Sequence, residues 1–157
     1  MCPICDKENR RRIPKLIEEY GWATLFEDTN KNEPPYCYTV GIFETLKLPE
    51  IVIFGLDKRR CHRTFHHIYY LLEKSREAFP HMMINYDILE DGFPVLFNDI
   101  DFSVAWDYLD YCNWYYEDKS IIYPAMQLIW PDEKKLFPWE ENFNYNFIWQ
   151  QPLICNF

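Results

Sequence analysis

A cluster of basic residues follows a strongly apolar segment and is the part of this sequence best suited to bind an anion. Residues 50–56 are almost wholly apolar, which predicts a strand buried on both faces, and Asp57 then predicts the N-cap of a long helix. The first turn of that helix carries Lys58, Arg59 and Arg60, with Arg63 following. Cations there oppose the helix dipole unless an anion is bound, so the cluster predicts a phosphate site. The alternative is a solvated face that Asp57 and nearby acids neutralise.

Aromatic and polar residues in two other predicted strands extend this hypothesis to a pocket at the strand ends. A glycine inside a strand, such as Gly41, marks a bulge or a close approach to the backbone. A glutamine next to a tryptophan can read a ligand amide or base edge, and aromatic rings can stack on a planar ligand. With Gly55 at its border, the predicted pocket is lined by Tyr36, Tyr38, Gly41, Lys58, Arg59, Arg60, Gln127 and Trp130. The alternative for the rings is plain core packing.

A zinc site is the second candidate for chemistry. Cys2-x-x-Cys5 has the spacing with which two thiolates bind one ion, and His62 and His66 are one helical turn apart. These four residues form a sensible ligand set, although nothing in the sequence brings the two pairs together. The alternative is that the cysteines are loose and that the histidines are ordinary partly buried residues.

We assign no catalytic residue. The chain lacks Gly-x-Ser-x-Gly, Walker-type and Gly-x-Gly-x-x-Gly motifs, and its four histidines do not flank a serine or cysteine in a known nucleophile context. No motif demands a flavin, and the cofactor is left unassigned apart from zinc.

Composition limits the class of protein and its partners. The chain has 157 residues and a net charge of −9, which indicates one domain and argues against general binding to nucleic acid or to anionic membranes. It has no apolar run long enough for a membrane span and no secretory leader, so we predict a cytoplasmic protein. Six cysteines in that setting are expected to be reduced thiols. The bias toward residues of AT-rich codons suggests a virus, a phage or a low-GC bacterium.

The periodicity predicts an α+β domain. Strands are expected at 22–28, 36–43, 50–56, 82–86, 93–100 and 123–130, and helices around 13–20, 57–78 and 105–116. Two to three helices would pack on a mixed or mostly antiparallel sheet, with closure into a barrel-like sheet left open. Residues 1–157 form one domain, with a cysteine-bearing lead at 1–8 and an irregular aromatic tail at 131–157.

Three segments together resemble the domain-of-unknown-function 4262 family of bacterial and phage proteins. They are Tyr20-Gly21-Trp22-Ala23, then residues 34–42 with 49–56, and finally Gln127-Leu128-Ile129-Trp130-Pro131-Asp132 with Phe137-Pro138-Trp139. The Cys2-x-x-Cys5 start is also similar. The family usually has His-Gly-Trp where this chain has Tyr20-Gly21-Trp22. It usually has Pro-Pro-Trp where this chain has Pro34-Pro35-Tyr36. The resemblance implies a fold and no reaction.

The predicted function is the non-enzymatic binding of a small phosphate-bearing, nucleotide-like ligand. In a phage, such a binder would sequester a host nucleotide signal. One alternative is a hydrolase or flavin-dependent enzyme that uses the same pocket. Another is a protein-interaction module that uses the aromatic and acidic residues 106–157. Oligomeric state is not predicted.

Overall fold

The fold is one open mixed sheet covered on both faces by helices. The computed structural model describes residues 3–29 and 32–156, with side chains from Lys7 onward. The elements in chain order are α1 (Pro3–Tyr20), β1 (Ala23–Glu27), β2 (Tyr36–Val40), α2 (Ile42–Leu46), β3 (Glu50–Phe54), α3 (Lys58–Ser75), β4 (Leu96–Ile100), α4 (Phe102–Tyr108), α5 (Asp110–Glu117) and β5 (Ala125–Ile129). The strand order is β1-β2-β3-β5-β4, and every neighbouring pair is antiparallel except β3 and β5, which are parallel.

This architecture confirms the predicted α+β class and the mixed sheet. The sheet is not closed, because β1 and β4 lie at its two edges. The barrel-like alternative is therefore wrong, and the five α-helices of the described residues exceed the two to three predicted.

Strand β3 is buried on both faces, as its apolar run predicts. All five of its residues are buried, and alternate side chains enter two separate cores. Ile51 and Ile53 pack toward α3, whereas Val52 and Phe54 pack on the opposite face toward α1, α4 and α5. The sheet therefore forms the middle layer of three.

Helix α3 begins where the sequence predicts. The Asp57 side chain accepts a hydrogen bond from the backbone N–H of Arg60 at 2.8 Å, which is an N-cap. The buried residues of α3 are Cys61, Thr64, Phe65, Ile68 and Leu72. The helix ends at Ser75 rather than near residue 78, because Arg76 turns left-handed with φ 58°.

The N-terminal helix is longer than the periodicity predicts. Helix α1 begins at Pro3, so residues 3–8 of the cysteine-bearing lead belong to its first turns. Pro14 consequently lies inside the helix and not in its first turn, and it supplies no N–H to the helical hydrogen bonds. The predicted stop at Gly21 is confirmed by the hydrogen bond from its N–H to the carbonyl of Ile17 at 2.8 Å.

Two other element predictions are wrong in extent. Residues 82–86 do not form a strand and contribute one isolated bridge, between Asn85 and Val95, after which β4 begins at Leu96. The single helix predicted over 105–116 is two helices, because Leu109 breaks the helix with φ −106° and ψ 61°.

Beyond β5 the described chain is largely irregular, with one 3-10 helix at Tyr145–Phe147. Within the described ranges, no helix combines the length and the apolar character that a membrane span requires.

Candidate functional site

A cleft of about 720 Å³ lies between α1 and the start of α3, beside the edge strand β1. We call it the α1–α3 cleft. It is lined by Glu8, Asn9 and Arg12 from α1, by Thr24, Leu25 and Phe26 from β1, by Cys37 from β2, and by Lys58, Arg59, Cys61 and His62 from α3.

The charge of the α1–α3 cleft is positive, although the whole chain is acidic. Arg12, Lys58 and Arg59 line it, against Glu8 as the one acid of the lining. Among the residues that the structure describes, none forms an ion pair with these three cations, and Arg12 makes a hydrogen bond to Asn9 at 3.1 Å. The lining of the cleft therefore carries a net positive charge.

The first turn of α3 adds backbone donors to this charge. The side chain of Asp57 accepts a hydrogen bond from the N–H of Arg60, and its carbonyl accepts one from the N–H of Cys61. The N–H groups of Lys58 and Arg59 have no acceptor among the described residues. Free N–H groups at a helix start favour an anion.

A disulfide bond between Cys37 and Cys61 forms part of the cleft wall and ties β2 to α3. Both residues are buried. The prediction that all six cysteines are reduced thiols is wrong for this pair, since the fold brings two distant positions into contact. Cys112 and Cys155 are free thiols, and burial raises the pKa of both.

The remaining arginines of the basic cluster lie in a second cavity of about 770 Å³, between α3 and residues 87–91. Arg60 forms an ion pair with Asp91 at 2.8 Å, and Arg63 forms one with Glu90 at 3.3 Å. The predicted cluster is thus divided. Lys58 lines the α1–α3 cleft and Arg59 lines both cavities, whereas acids compensate Arg60 and Arg63.

The tyrosines of the predicted pocket lie on the other face of the sheet. Tyr36 and Tyr38 share one face of β2, with ring centroids 6.1 Å apart. The hydroxyl of Tyr36 donates to the carbonyl of Tyr108 at 2.8 Å, and the hydroxyl of Tyr38 accepts from the N–H of Tyr111 at 3.1 Å. Neither tyrosine is among the residues that line the α1–α3 cleft.

Gly41 serves the turn between β2 and α2. Its φ of 105° is left-handed, and a Cβ atom there would come within 2.8 Å of the Ile17 side chain. The turn is held by Glu50, a buried carboxylate that the sequence analysis did not single out. Glu50 accepts hydrogen bonds from the hydroxyls of Thr39 and Tyr116 and from the backbone N–H groups of Gly41, Ile42 and Phe43.

Burial raises the pKa of Glu50, while hydrogen bonds from Tyr116, Thr39 and backbone N–H groups oppose that rise. Because every partner is a donor, the geometry suits the ionised carboxylate. The signal in the sequence was a charged residue at the head of an apolar strand, since a buried charge needs partners.

Gln127 and Trp130 are held by the chain's own C-terminal segment, residues 150–156. The amide of Gln127 donates to the carbonyl of Pro152 at 2.8 Å and accepts from the N–H of Ile154 at 2.9 Å. The Trp130 backbone exchanges two hydrogen bonds of 2.8 Å with the side chain of Gln151. The structure therefore does not bring the eight predicted pocket residues together.

The predicted zinc ligands are described only in part. Cys2 lies outside the described residues, and Cys5 is described only as part of helix α1. His62 and His66 face one another, with their Nε2 atoms 3.1 Å apart. In the part of the chain that the structure covers, no three His, Cys, Asp or Glu residues are grouped to hold a metal ion.

The fold and the cleft define an α+β domain with a cationic cleft at the start of helix α3. A family model described as a domain of unknown function (DUF4262) matches residues 16–144, and the chain belongs to this family. Comparison with curated proteins and with solved structures gave no match.

Proposed function

We propose that this domain binds a small phosphate-bearing ligand in the α1–α3 cleft. The observation that carries the proposal is the meeting of Arg12, Lys58 and Arg59 at one cleft, without an acidic partner among the described residues. Phosphate oxygens would accept hydrogen bonds from these cations and from the free N–H groups of Lys58 and Arg59.

A nucleotide-like ligand suits the rest of the cleft. Its volume of about 720 Å³ is in the range of small-molecule sites, and Phe26 provides an aromatic surface for a base. We assign no nucleophile or general base to the cleft, so the proposed role is binding without catalysis. A binder of this kind acts by sequestering its ligand.

Thermal unfolding in the presence of named probes tests the proposal. Pyrophosphate and ATP should raise the melting temperature, whereas adenosine should not, because it lacks phosphate. A probe at 100 times its Kd stabilises by about 2.7 kcal/mol, which corresponds to roughly 5–10 °C for a domain of this size.

A charge-matched pair of variants locates the site. Lys58→Gln/Arg59→Gln should abolish the shift, whereas Arg11→Gln/Lys15→Gln removes the same charge outside the cleft and should keep it. An absent shift with every phosphate probe at millimolar concentration, or an equal shift in both double variants, would refute the proposal.

A second candidate function, protein interaction, is favoured by exposed side chains near the C-terminal segment. Tyr145, Ile148 and Trp149 are 67%, 44% and 84% exposed. Self-association through this patch would appear in sedimentation as a mass that rises with concentration and that Trp149→Ser lowers. A monomer at all concentrations would count against self-association.

A further inference from the structure

The imidazole rings of His62 and His66 contact one another on the exposed face of α3, which two surface histidines need not do. Both residues are exposed on α3, one helical turn apart. Their Nε2 atoms are 3.1 Å apart, and their ring planes are inclined at 74°. The two Nε2 atoms therefore lie side by side on the exposed face of the helix.

Two explanations fit this distance, and they differ in what they predict. One is a hydrogen bond between two neutral rings, which water would replace at little cost on an exposed face. The other is chelation, because two imidazole nitrogens bound to one tetrahedral ion at 2.0–2.1 Å lie roughly 3.3 Å apart. The observed separation is close to that value without any movement of the helix.

The setting of His66 favours chelation. Its ring packs edge-on against Trp22 with the centroids 5.0 Å apart, and Trp22 in turn stacks on Tyr69 at 5.5 Å. These contacts hold one imidazole in place before an ion arrives.

We propose that His62 and His66 bind a divalent transition-metal ion together, with zinc as the physiological candidate. Zinc, copper and nickel ions bind imidazole well, whereas magnesium and calcium ions prefer oxygen ligands. His62 also lines the α1–α3 cleft. The metal would be held by the two imidazoles, whereas the proposed anion site uses Arg12, Lys58 and Arg59.

Zinc titration of the metal-free, full-length protein tests the site. The wild type should bind one Zn²⁺ per chain, and His62→Gln or His66→Gln should weaken binding at least tenfold. His67→Gln is the matched control, because His67 is adjacent on the same helix but contacts the carbonyl of Asp87 at 2.7 Å. That variant should bind as the wild type does.

A second measurement does not depend on the histidine variants. Cu²⁺ quenches nearby tryptophan fluorescence, and Trp22 is the tryptophan that contacts His66. Substoichiometric Cu²⁺ should quench the wild type strongly and Trp22→Phe weakly. Zinc binding that is absent, or that is equal in the wild type and both His62→Gln and His66→Gln, would overturn the proposal.

Discussion

The carboxylate of Glu50 accepts a hydrogen bond from the backbone N–H of Gly41 at 2.9 Å, and this contact connects two sequence motifs of the chain. The first motif is β2 with the glycine that ends it, and the second is the strand that Glu50 begins. Thr39 and Gly41 of the first motif are therefore explained by a buried turn that one carboxylate holds.

Replacing Glu50 by Gln should destabilise the fold strongly. The substitution keeps the shape but turns an NH₂ group toward backbone N–H donors, so at least one buried donor loses its partner. We expect the free energy of unfolding in urea at pH 7 to fall by about 3 kcal/mol. Glu18→Gln, at an exposed position of α1, should change it little. An unchanged Glu50→Gln protein would show that the carboxylate is dispensable.

Gly55→Ala should detach the C-terminal segment from the end of β3. Gly55 has φ 81°, and an added Cβ would meet the carbonyl oxygen of Gln150. Gly92 also has a positive φ, 73°, but an added Cβ there has nothing within 4 Å. Gly92→Ala should therefore cost only backbone strain, about 1 kcal/mol, and Gly55→Ala about 2 kcal/mol more.

Limited proteolysis distinguishes these two glycine variants further. Cleavage near residue 150 should accelerate in Gly55→Ala and not in Gly92→Ala. Equal stability and equal cleavage of both variants would contradict the close packing of Gln150 on Gly55.

Protonation of the Asp132 carboxylate should destabilise the C-terminal region at acidic pH. Burial alone would raise the pKa of this carboxyl, but the backbone N–H groups of Leu136, Asn144 and Lys134 hold it below its usual value of 3.8. Its folded-state pKa lies below its unfolded-state pKa. The stabilisation is therefore present above about pH 3.8 and is lost as the pH falls through the folded-state pKa.

Asp132→Asn tests this pH dependence. The variant should be less stable at pH 7 and should lose part of the stability difference between pH 7 and pH 3 that the wild type shows. Asp118→Asn, at an exposed position, is the control. Parallel pH profiles of the Asp132→Asn and wild-type proteins would contradict the role given to this carboxylate.

The Cys37–Cys61 disulfide should stabilise the wild type. It closes a loop with a sequence separation of 24, for which the chain-entropy model gives about 3 kcal/mol. Cys37→Ser/Cys61→Ser should lose about this amount, and Cys155→Ser should not. Alkylation of the denatured, non-reduced protein should leave Cys37 and Cys61 unmodified while Cys112 and Cys155 react. Full alkylation of all four would show that the bond does not form.

If zinc binds at His62 and His66, the thiolates of Cys2 and Cys5 are the ligands that the sequence predicts for the other two positions. Cobalt substitution should then give an intense near-ultraviolet thiolate-to-metal band. Cys2→Ser/Cys5→Ser should remove the band and weaken zinc binding by roughly 100-fold. A cobalt complex without that band would limit the protein ligands to the histidines.

The sequence correctly predicted those features of the fold that depend on residues close together in the chain. The cap at Asp57, the stop at Gly21 and the two-sided burial of β3 each follow from neighbouring residues, and the structure has all three. The break at Leu109 was not predictable, because both halves of the predicted helix have good helical periodicity. Only tertiary packing decides where the chain bends between them.

The candidate site could be predicted only in part for the same reason. The position of Lys58 and Arg59 at a helix start is local, but the pairing of Arg60 with an acid depends on where Asp91 lies in space. The Cys37–Cys61 bond joins a strand to a helix across the fold, and no spacing rule indicates it. Contacts of this kind depend on the assembled sheet.

The C-terminal segment covers the carboxyl ends of the parallel strands β3 and β5. In open sheets with parallel strands, ligands commonly enter the crevice beyond the carboxyl ends of adjacent strands. Here the carboxyl ends of β3 and β5 are bridged by the bond from Trp130 Nε1 to the Phe54 carbonyl at 2.7 Å, and Gln150 and Gln151 lie over them. The chain's own C-terminal segment therefore fills that crevice, and the binding proposed above would use the α1–α3 cleft instead.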